Sequence, residues 1–484
     1  MKPDAVQGMQ RMQIAVIGTG YVGLVSAACF AHLGHDVVGV DADIGKVQAL
    51  QRGAMPIFEA GLQPLVASRM ADGNLRFTHR MDEAIERAEL VVIAVGTPSD
   101  ACGATDLSAL NRAVEDIGRM LSHPLTVAIK STVPVGTCDA VEAKLRRSLE
   151  RRGMHWHVPV LSNPEFLREG TATRDFLMPD RILIGARHRR DASALIRAFE
   201  PLTQGGVPLI RMSTRSAELS KYAANTMLAA RISFINEMAD IAEATGADIE
   251  EVRCGIGSDA RIGPAFLKAG IGYGGSCFPK DVSSLRHEAA AHGIAPAMLS
   301  AVAGTNERHR RWPVERLARA YGGRSALNGL HVAIWGLAFK PGTDDMREAP
   351  SLPTVQSLLD AGAFVRAYDP VAMRNAVAVM GVHDRLAWAA GAADALAGAD
   401  VLVLLTEWAE FVDFPPARVS EVLRHRFVLD GRNALPVARW VAAGLRVVQV
   451  GRPERAPRRV LRPISASRDD AAQPAPAEAA AGTS

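Results

Sequence analysis

The first pattern along the chain is a short unbroken apolar run, Gln13-Ile-Ala-Val-Ile17, with no alternating polar face. Such runs predict strands buried on both sides, as in a parallel sheet. A glycine-rich turn follows, then an apolar helical stretch through Leu33, then a second run, His35-Asp-Val-Val-Gly-Val40. Together these predict a βαβ unit. Further runs recur at Leu90 to Val95, Thr126 to Ile129 and Pro159 to Leu161, with helical patterns between them. Residues 216–245 hold no Gly or Pro and predict one helix of about 45 Å, with Gly246 as its stop.

From Leu330 the βαβ pattern starts again. Leu330 to Trp335 predicts a strand, Ser351 to Ala361 a helix, and Ala363 to Tyr368 a strand followed by Asp369; Ala399 to Leu405 parallels Ala88 to Val95. The expected fold class is therefore α/β. Two Rossmann-like doubly wound parallel-sheet domains, over 11–210 and 325–450, are joined by a long central helix and a helical middle domain over 211–310. From 452 to 484 Pro, Ala, Arg and Asp dominate without periodicity, which predicts a disordered tail.

Composition narrows the function classes. At 484 residues the chain exceeds one hydrophobic core, and its 48% hydrophobic and 22% charged residues are ordinary for a soluble globular protein. A net charge of +3 points to neither a nucleic-acid nor a membrane-surface partner. No apolar run approaches the ~20 residues of a membrane span, and Met1 to Arg11 lacks the apolar core of a secretory signal. Five cysteines without a C-x-x-C pair predict neither a disulfide framework nor a metal site, and a reduced, cytoplasmic setting fits.

Gly18-Thr-Gly20-Tyr21-Val22-Gly23 stands between the first strand and the first helix. Its three glycines suit a tight turn, close approach of backbone to a pyrophosphate, and helix packing on strand. Asp41 ends the second strand, where a carboxylate accepts from both ribose hydroxyls and repels a 2′-phosphate, so NAD is expected over NADP. A structural βα turn that binds nothing is the plain alternative. The second half lacks this fingerprint; Gly336-Leu-Ala-Phe-Lys340 puts a lysine where glycines would be needed, which suits a compact anion such as a diphosphate.

Gly270-Ile-Gly-Tyr273-Gly274-Gly-Ser-Cys277-Phe278-Pro-Lys280-Asp281 is the most informative stretch. Its glycines let backbone approach a ligand, and a helical pattern begins near Asp281. A thiol near a helix N-terminus with Lys280 close by is expected to have enhanced thiolate character. On the long helix Lys221 and Asn225 share a face and can both donate to a developing oxyanion. Glu165, after the strand ending at Leu161, is a candidate acid or base. Gly96-Thr97-Pro98 and Lys130-Ser131-Thr132 also follow strand ends and are expected to line the nicotinamide side.

Six separated stretches resemble the UDP-glucose 6-dehydrogenase family, within the UDP-glucose and GDP-mannose dehydrogenase superfamily. They are Gly18 to Gly23, Val95 to Pro98, Lys130 to Thr137, Asn163 to Glu169, Gly270 to Asp281 and Trp335 to Asp344. The resemblance implies NAD on the first domain, a UDP-sugar on the third, and a dimer or higher homo-oligomer built on the central helix. It implies that Cys277 attacks a C6 aldehyde to give a thiohemiacetal and then a thioester, with two NAD consumed. Lys221 and Asn225 would stabilise the oxyanion, Asp281 and Thr132 would position water, and Glu165 would act as base in hydrolysis. By the same resemblance Asp41, Lys46, Thr97, Glu169 and Arg347 would contact NAD, with Tyr21, Val22, Gly96, Pro98, Ser131, Thr132 and Lys280 beside them. Phe166, Leu167, Arg168, Phe266, Gly270, Tyr273, Gly274, Phe278, Phe339, Lys340 and Arg432 would line the sugar-nucleotide pocket. Arg261 would reach a neighbouring subunit's substrate. The alternative within the superfamily is a GDP-mannose or UDP-N-acetylmannosamine 6-dehydrogenase of the same mechanism. A one-step hydroxy-acid dehydrogenase and an inactive nucleotide-binding protein are the competing readings outside it.

Overall fold

The computed structural model describes residues 10–100 and 102–457. Its first sheet contains β1 (Gln13–Ile17), β2 (Asp36–Val40), β3 (Leu75–Thr78), β4 (Leu90–Ile93), β5 (Thr126–Ile129), β6 (Val160–Ser162), β7 (Ile182–Gly185) and β8 (Leu209–Met212). Their order is β3-β2-β1-β4-β5-β6-β7-β8. The pairs are parallel except β6–β7, which meet antiparallel at Ser162 and Gly185. The central strands β1, β4, β5 and β6 bury both faces, which is why they read as continuous apolar runs. Ile14, Val16, Leu90 and Val92 enter one core, while Ala15, Ile17, Val91 and Ile93 enter the opposite one.

A second sheet holds β9 (His331–Trp335), β10 (Phe364–Tyr368), β11 (Leu386–Trp388), β12 (Val401–Leu404), β13 (Phe427–Asp430) and β14 (Arg446–Gln449), in the order β11-β10-β9-β12-β13-β14. Both sheets reverse strand order beside their first strand, and open α/β sheets bind ligands at that crevice.

Between the sheets runs one helix of 32 residues, Thr214–Thr245, about 48 Å long. Ser213 Oγ caps it by accepting from Ser216 N–H, and Gly246 ends it at φ +78°. The helix lies directly on β7: a Cβ on Gly185 would sit 2.6 Å from Ala217 Cβ. The helix Phe278–Ala291 begins three residues before the expected Asp281, because Pro279 fits its first turn. Cys277 is therefore the N-cap residue itself.

Two expected boundaries move. β8 straddles 210, and the helix Ala297–Tyr321 runs through 310 with Pro313 inside it. The tail expectation also starts too early. The Arg452 guanidinium pairs with Asp248, and Arg455 bridges Val447, so 452–457 are held against the body. The remainder, 458–484, lies outside the described residues. Among the described residues no helix is long and apolar enough to cross a membrane.

Asp369, after β10, occupies the place that Asp41 holds after β2, yet it is fully buried. Its Oδ2 accepts from Leu337 N–H, Ala338 N–H and Trp408 Nε1–H, and its Oδ1 from Val371 and Ala372 N–H. This carboxylate therefore ties down the loop after β9. Asp369→Ala leaves five donors without their acceptor, and we expect it to destabilise the second sheet by at least about 3 kcal/mol. Calorimetry should show the lowest unfolding transition moving down by several degrees; an unchanged transition would remove this role.

Candidate active site

At the first crevice the glycine turn is sterically forced. Gly18 has φ +92°, and a Cβ there would lie 2.8 Å from Ala94 O. A Cβ on Gly23 would lie 1.7 Å from Gly18 O. Gly20 differs, since nothing stands within 4 Å of the space in front of it. The helix Tyr21–His32 starts there without a side-chain cap, so its first N–H groups, Val22 included, face that open space. This cradle fits a pyrophosphate.

Asp41 Oδ2 accepts from Thr19 N–H, Thr19 Oγ1–H and Lys46 Nζ at 2.9, 2.7 and 2.9 Å. Burial opposes its charge, but these donors and Asp43 N–H prevail and hold the carboxyl below its usual range. Lys46, expected on the cofactor, is committed to Asp41. Tyr21 is likewise committed: its hydroxyl hydrogen-bonds Glu59, which also accepts from Gly170 and Ala172 N–H. The loops after β4 and β5 are tied together, Thr97 Oγ1 donating to Thr132 O and Ser131 Oγ to Val95 O. Gly96 leaves open space between them and the crevice.

The cysteine loop is threaded between the two halves. A Cβ on Gly274 would lie 2.2 Å from Glu348 O, and one on Gly275 would lie 2.7 Å from the Phe339 ring. Gly270 N–H donates to Asn236 Oδ1, Tyr273 N–H to Asn306 Oδ1, and Gly275 N–H to Arg347 O. Arg432 donates to Leu405, Gly272 and Phe339 carbonyls, so most of its reach is spent on fastening this loop.

Beside the loop opens a cleft of about 1030 Å³, and Cys277 lines it together with Lys221, Asn225, Glu165, Phe339 and Lys340. Lys221 Nζ lies 3.1 Å from Glu165 Oε1, with both side chains nearly inaccessible. Asn225 Nδ2 donates to Asp281 Oδ2 at 2.6 Å, and Lys280 Nζ reaches Asp281 Oδ1 at 2.6 Å. Phe166 lies under Arg181 and near Lys221 Nζ. Phe278 packs edge-on to Tyr273 and tilted on Phe266, which holds φ +59°. Leu167 and Gly270 also line the cleft.

Several expectations need correction. The Cys277 thiol is not shifted toward thiolate: burial pushes it up, Glu165 adds to that, and Lys221 opposes both. Lys280 does not help, because it neutralises Asp281. Asp281 and Thr132 do not line the cleft, and the Thr132 carbonyl serves Thr97. Arg168 reaches the cleft, but its guanidinium is paired with Asp175. Glu169 also lines the cleft, bonded to Ser276 and Thr343. Arg347 is exposed and pairs with Asp345 and Glu169. Arg261 sits at the surface on Asp259, away from its own cleft.

Lys130, expected with Ser131 and Thr132 on the nicotinamide side, lines the cleft fully buried, donates to Asn163 Oδ1 and lies near the Phe176 and Phe199 rings. Burial lowers its ammonium to about 8. A lysine closing an apolar strand was the available signal. Lys340 is lowered in the same way, which favours a bound anion beside it.

Lys221 is the principal cation favouring the Cys277 thiolate. Lys221→Met should therefore move the alkaline midpoint of Cys277 alkylation upward by about one pH unit or more. An unmoved midpoint would remove the electrostatic link.

Comparison with known proteins identifies the family. Models of the UDP-glucose/GDP-mannose dehydrogenase family match in order, the NAD binding domain over 12–203, the central domain over 215–308 and the UDP binding domain over 333–437. The UDP-glucose 6-dehydrogenase of Pseudomonas aeruginosa is 46% identical over 453 residues, covering 91% of this chain and 98% of its own. That of Rhizobium meliloti is 44% identical over 446 residues, covering 92% and 100%. The structure of a UDP-glucose dehydrogenase from the hyperthermophilic archaeon Pyrobaculum islandicum superposes with a TM-score of 0.82 at 37% identity, covering 90% of this chain and 97% of that one. The NAD binding domain model spans the cradle at Gly20, and with three domain matches in order this chain belongs to the UDP-glucose/GDP-mannose dehydrogenase family.

Proposed function

We propose that this chain oxidises the C6 alcohol of UDP-glucose to the carboxylate of UDP-glucuronate, through a thiohemiacetal and then a thioester on Cys277. The observation that carries the reading is the meeting of a thiol, a buried lysine–carboxylate pair and an amide in one cleft between two Rossmann-like halves. NAD, when bound, accepts the hydride at each oxidation.

An aldehyde has no second hydride to release until a nucleophile adds to its carbon, and a thiolate does so covalently, retaining the intermediate. Cys277 adds at C6, and loss of the remaining hydride leaves a thioester. Lys221 keeps two further N–H donors beyond Glu165, and Asn225 one beyond Asp281, so both can serve the oxyanion. Glu165 takes a proton from the attacking water, while Asp281 holds the Asn225 amide in place. Hydrolysis frees the thiol and the acid, so one water and two hydride transfers close each cycle.

Lys340, Phe339, Phe278, Phe266 and Arg432 hold the sugar nucleotide in this reading. Asp41 and Thr97 serve the cofactor side in this reading, with Lys46 supporting Asp41. The five unpaired cysteines support a reducing, cytoplasmic setting, and the uronate product suits polysaccharide biosynthesis. Leu219, Met227, Phe234 and Ile241 form an exposed apolar row along the long helix, each at least 47% exposed. A homodimer on this row would cover it and could bring Arg261 to the partner's cleft.

Purified protein with a panel of UDP-glucose, GDP-mannose and UDP-N-acetylmannosamine should yield two reduced cofactors per sugar, with UDP-glucose preferred. Cys277→Ala should lower acid formation at least about a thousandfold; unchanged turnover would remove the nucleophile. Sedimentation should give a dimer that Phe234→Glu dissociates, and a monomeric parent protein would contradict the helix interface.

A further inference from the structure

Glu169 sits where the three parts of the chain meet. Its Oε1 accepts from the Ser276 hydroxyl at 3.0 Å and lies 3.6 Å from Arg347, while Oε2 accepts from Thr343 Oγ1 at 3.0 Å. Ser276 Oγ in turn lies 3.5 Å from Cys277 Sγ, within hydrogen-bond reach for sulfur. Sulfur, hydroxyl and carboxylate thus form a chain with the hydroxyl in the middle. A serine hydroxyl has one proton and serves one anion at a time. While Glu169 is charged, that proton belongs to Oε1, and the sulfur meets only lone pairs, which suit a thiol S–H.

We propose that Ser276 relays the Cys277 proton to Glu169, so that the nucleophile arises as a thiolate beside a neutral carboxylic acid. The proposal rests on Cys277 being the nucleophile. The S–H bond breaks as Ser276 Oγ takes its proton, and the original Ser276 proton passes to Glu169 Oε1. Afterwards the hydroxyl donates to sulfur, and the acid donates to the hydroxyl. No charge is created; one negative charge moves from Glu169 to Cys277.

Creating a fresh thiolate here is opposed by burial and by Glu165 and Asp281, so moving an existing charge is the cheaper route. The surroundings favour the move. Burial and Asp345 push the Glu169 carboxyl up to about 7, partly offset by Arg347, Ser276 and Thr343. Lys221 from the long helix is the principal cation acting on the sulfur, with Lys340 and Arg347 of the second half adding positive charge from further off. Gly275 N–H bonding to Arg347 O fixes the cysteine loop against the segment that supplies Thr343 and Arg347.

The test is the pH dependence of Cys277 alkylation by iodoacetamide in the full ligand-free chain, read by peptide mass spectrometry so that exposed Cys102 and Cys254 are counted apart. A proton shared between two sites gives a rate that rises in two steps. The first should centre near pH 7 and lead to a plateau; the second should come above pH 9. Glu169→Gln should leave one rise and no plateau. Ser276→Ala should lower the plateau about tenfold, the worth of a hydrogen bond to an anion, and Ser276→Thr should restore it. A single rise in the unsubstituted protein, or a plateau indifferent to Ser276→Ala, overturns the relay. Alkylation needs no turnover, so full activity in Cys277→Ala would sink the nucleophile reading separately, whatever the alkylation profile.

Discussion

A lysine ammonium held out of water against a carboxylate, next to a thiol, is the constraint on which the site depends. Lys221 and Glu165 are only 4% and 6% exposed and stand 3.1 Å apart. Such a pair recovers in attraction roughly what it loses in hydration, so it adds little net stability. Its value lies in chemistry: a cation fixed by a long helix, able to meet negative charge that develops on sulfur or oxygen. Glu165 is fixed too, its Oε2 accepting from Leu167 N–H. Neither side chain can turn away without leaving the other uncompensated.

The scaffold explains how that pair and the thiol come together. Strand ends of the first sheet deliver Lys130, Asn163 and Glu165, those of the second deliver Lys340 and Arg432, and the glycine loop before Cys277 fits between them with almost no clearance. The two halves share a topology but not a use for its conserved geometry. Asp41 is partly exposed and its oxygens serve Thr19, Lys46 and Asp43, whereas Asp369 is fully buried and spends both oxygens on backbone and on Trp408. The second half therefore has a rigid loop ending in Lys340 where the first has an open cradle at Gly20.

Much of this was legible in the residues. Doubly buried strands carry unbroken apolar runs, so β1, β5 and β9 could be placed within a residue, and the absence of Gly and Pro marked the long helix. β3 and β8 were not legible, because exposed positions such as Arg76 and Arg211 break their apolar runs. The cysteine, its glycines, and the Lys221–Asn225 pair were visible as residue types at suggestive spacings. What linear spacing could not show was which charge meets which. Lys280 is adjacent in sequence but neutralises Asp281, while distant Glu165 and Glu169 set the environment of the thiol. Lys130 was legible as a residue closing a strand, but its burial was not: a lysine at a strand end is usually solvated, and only the packing of Phe176 and Phe199 around it shows otherwise.

The central claim is a covalent bond between Cys277 and the substrate carbon. Intact-protein and peptide mass spectrometry of acid-quenched reactions, with Glu165→Gln slowing hydrolysis, tests it most directly. The account predicts a uronyl-nucleotide adduct on the peptide containing Cys277, appearing with the second reduced cofactor. Two reduced cofactors per sugar with no adduct at any quench time, or an adduct on a different cysteine, would contradict it.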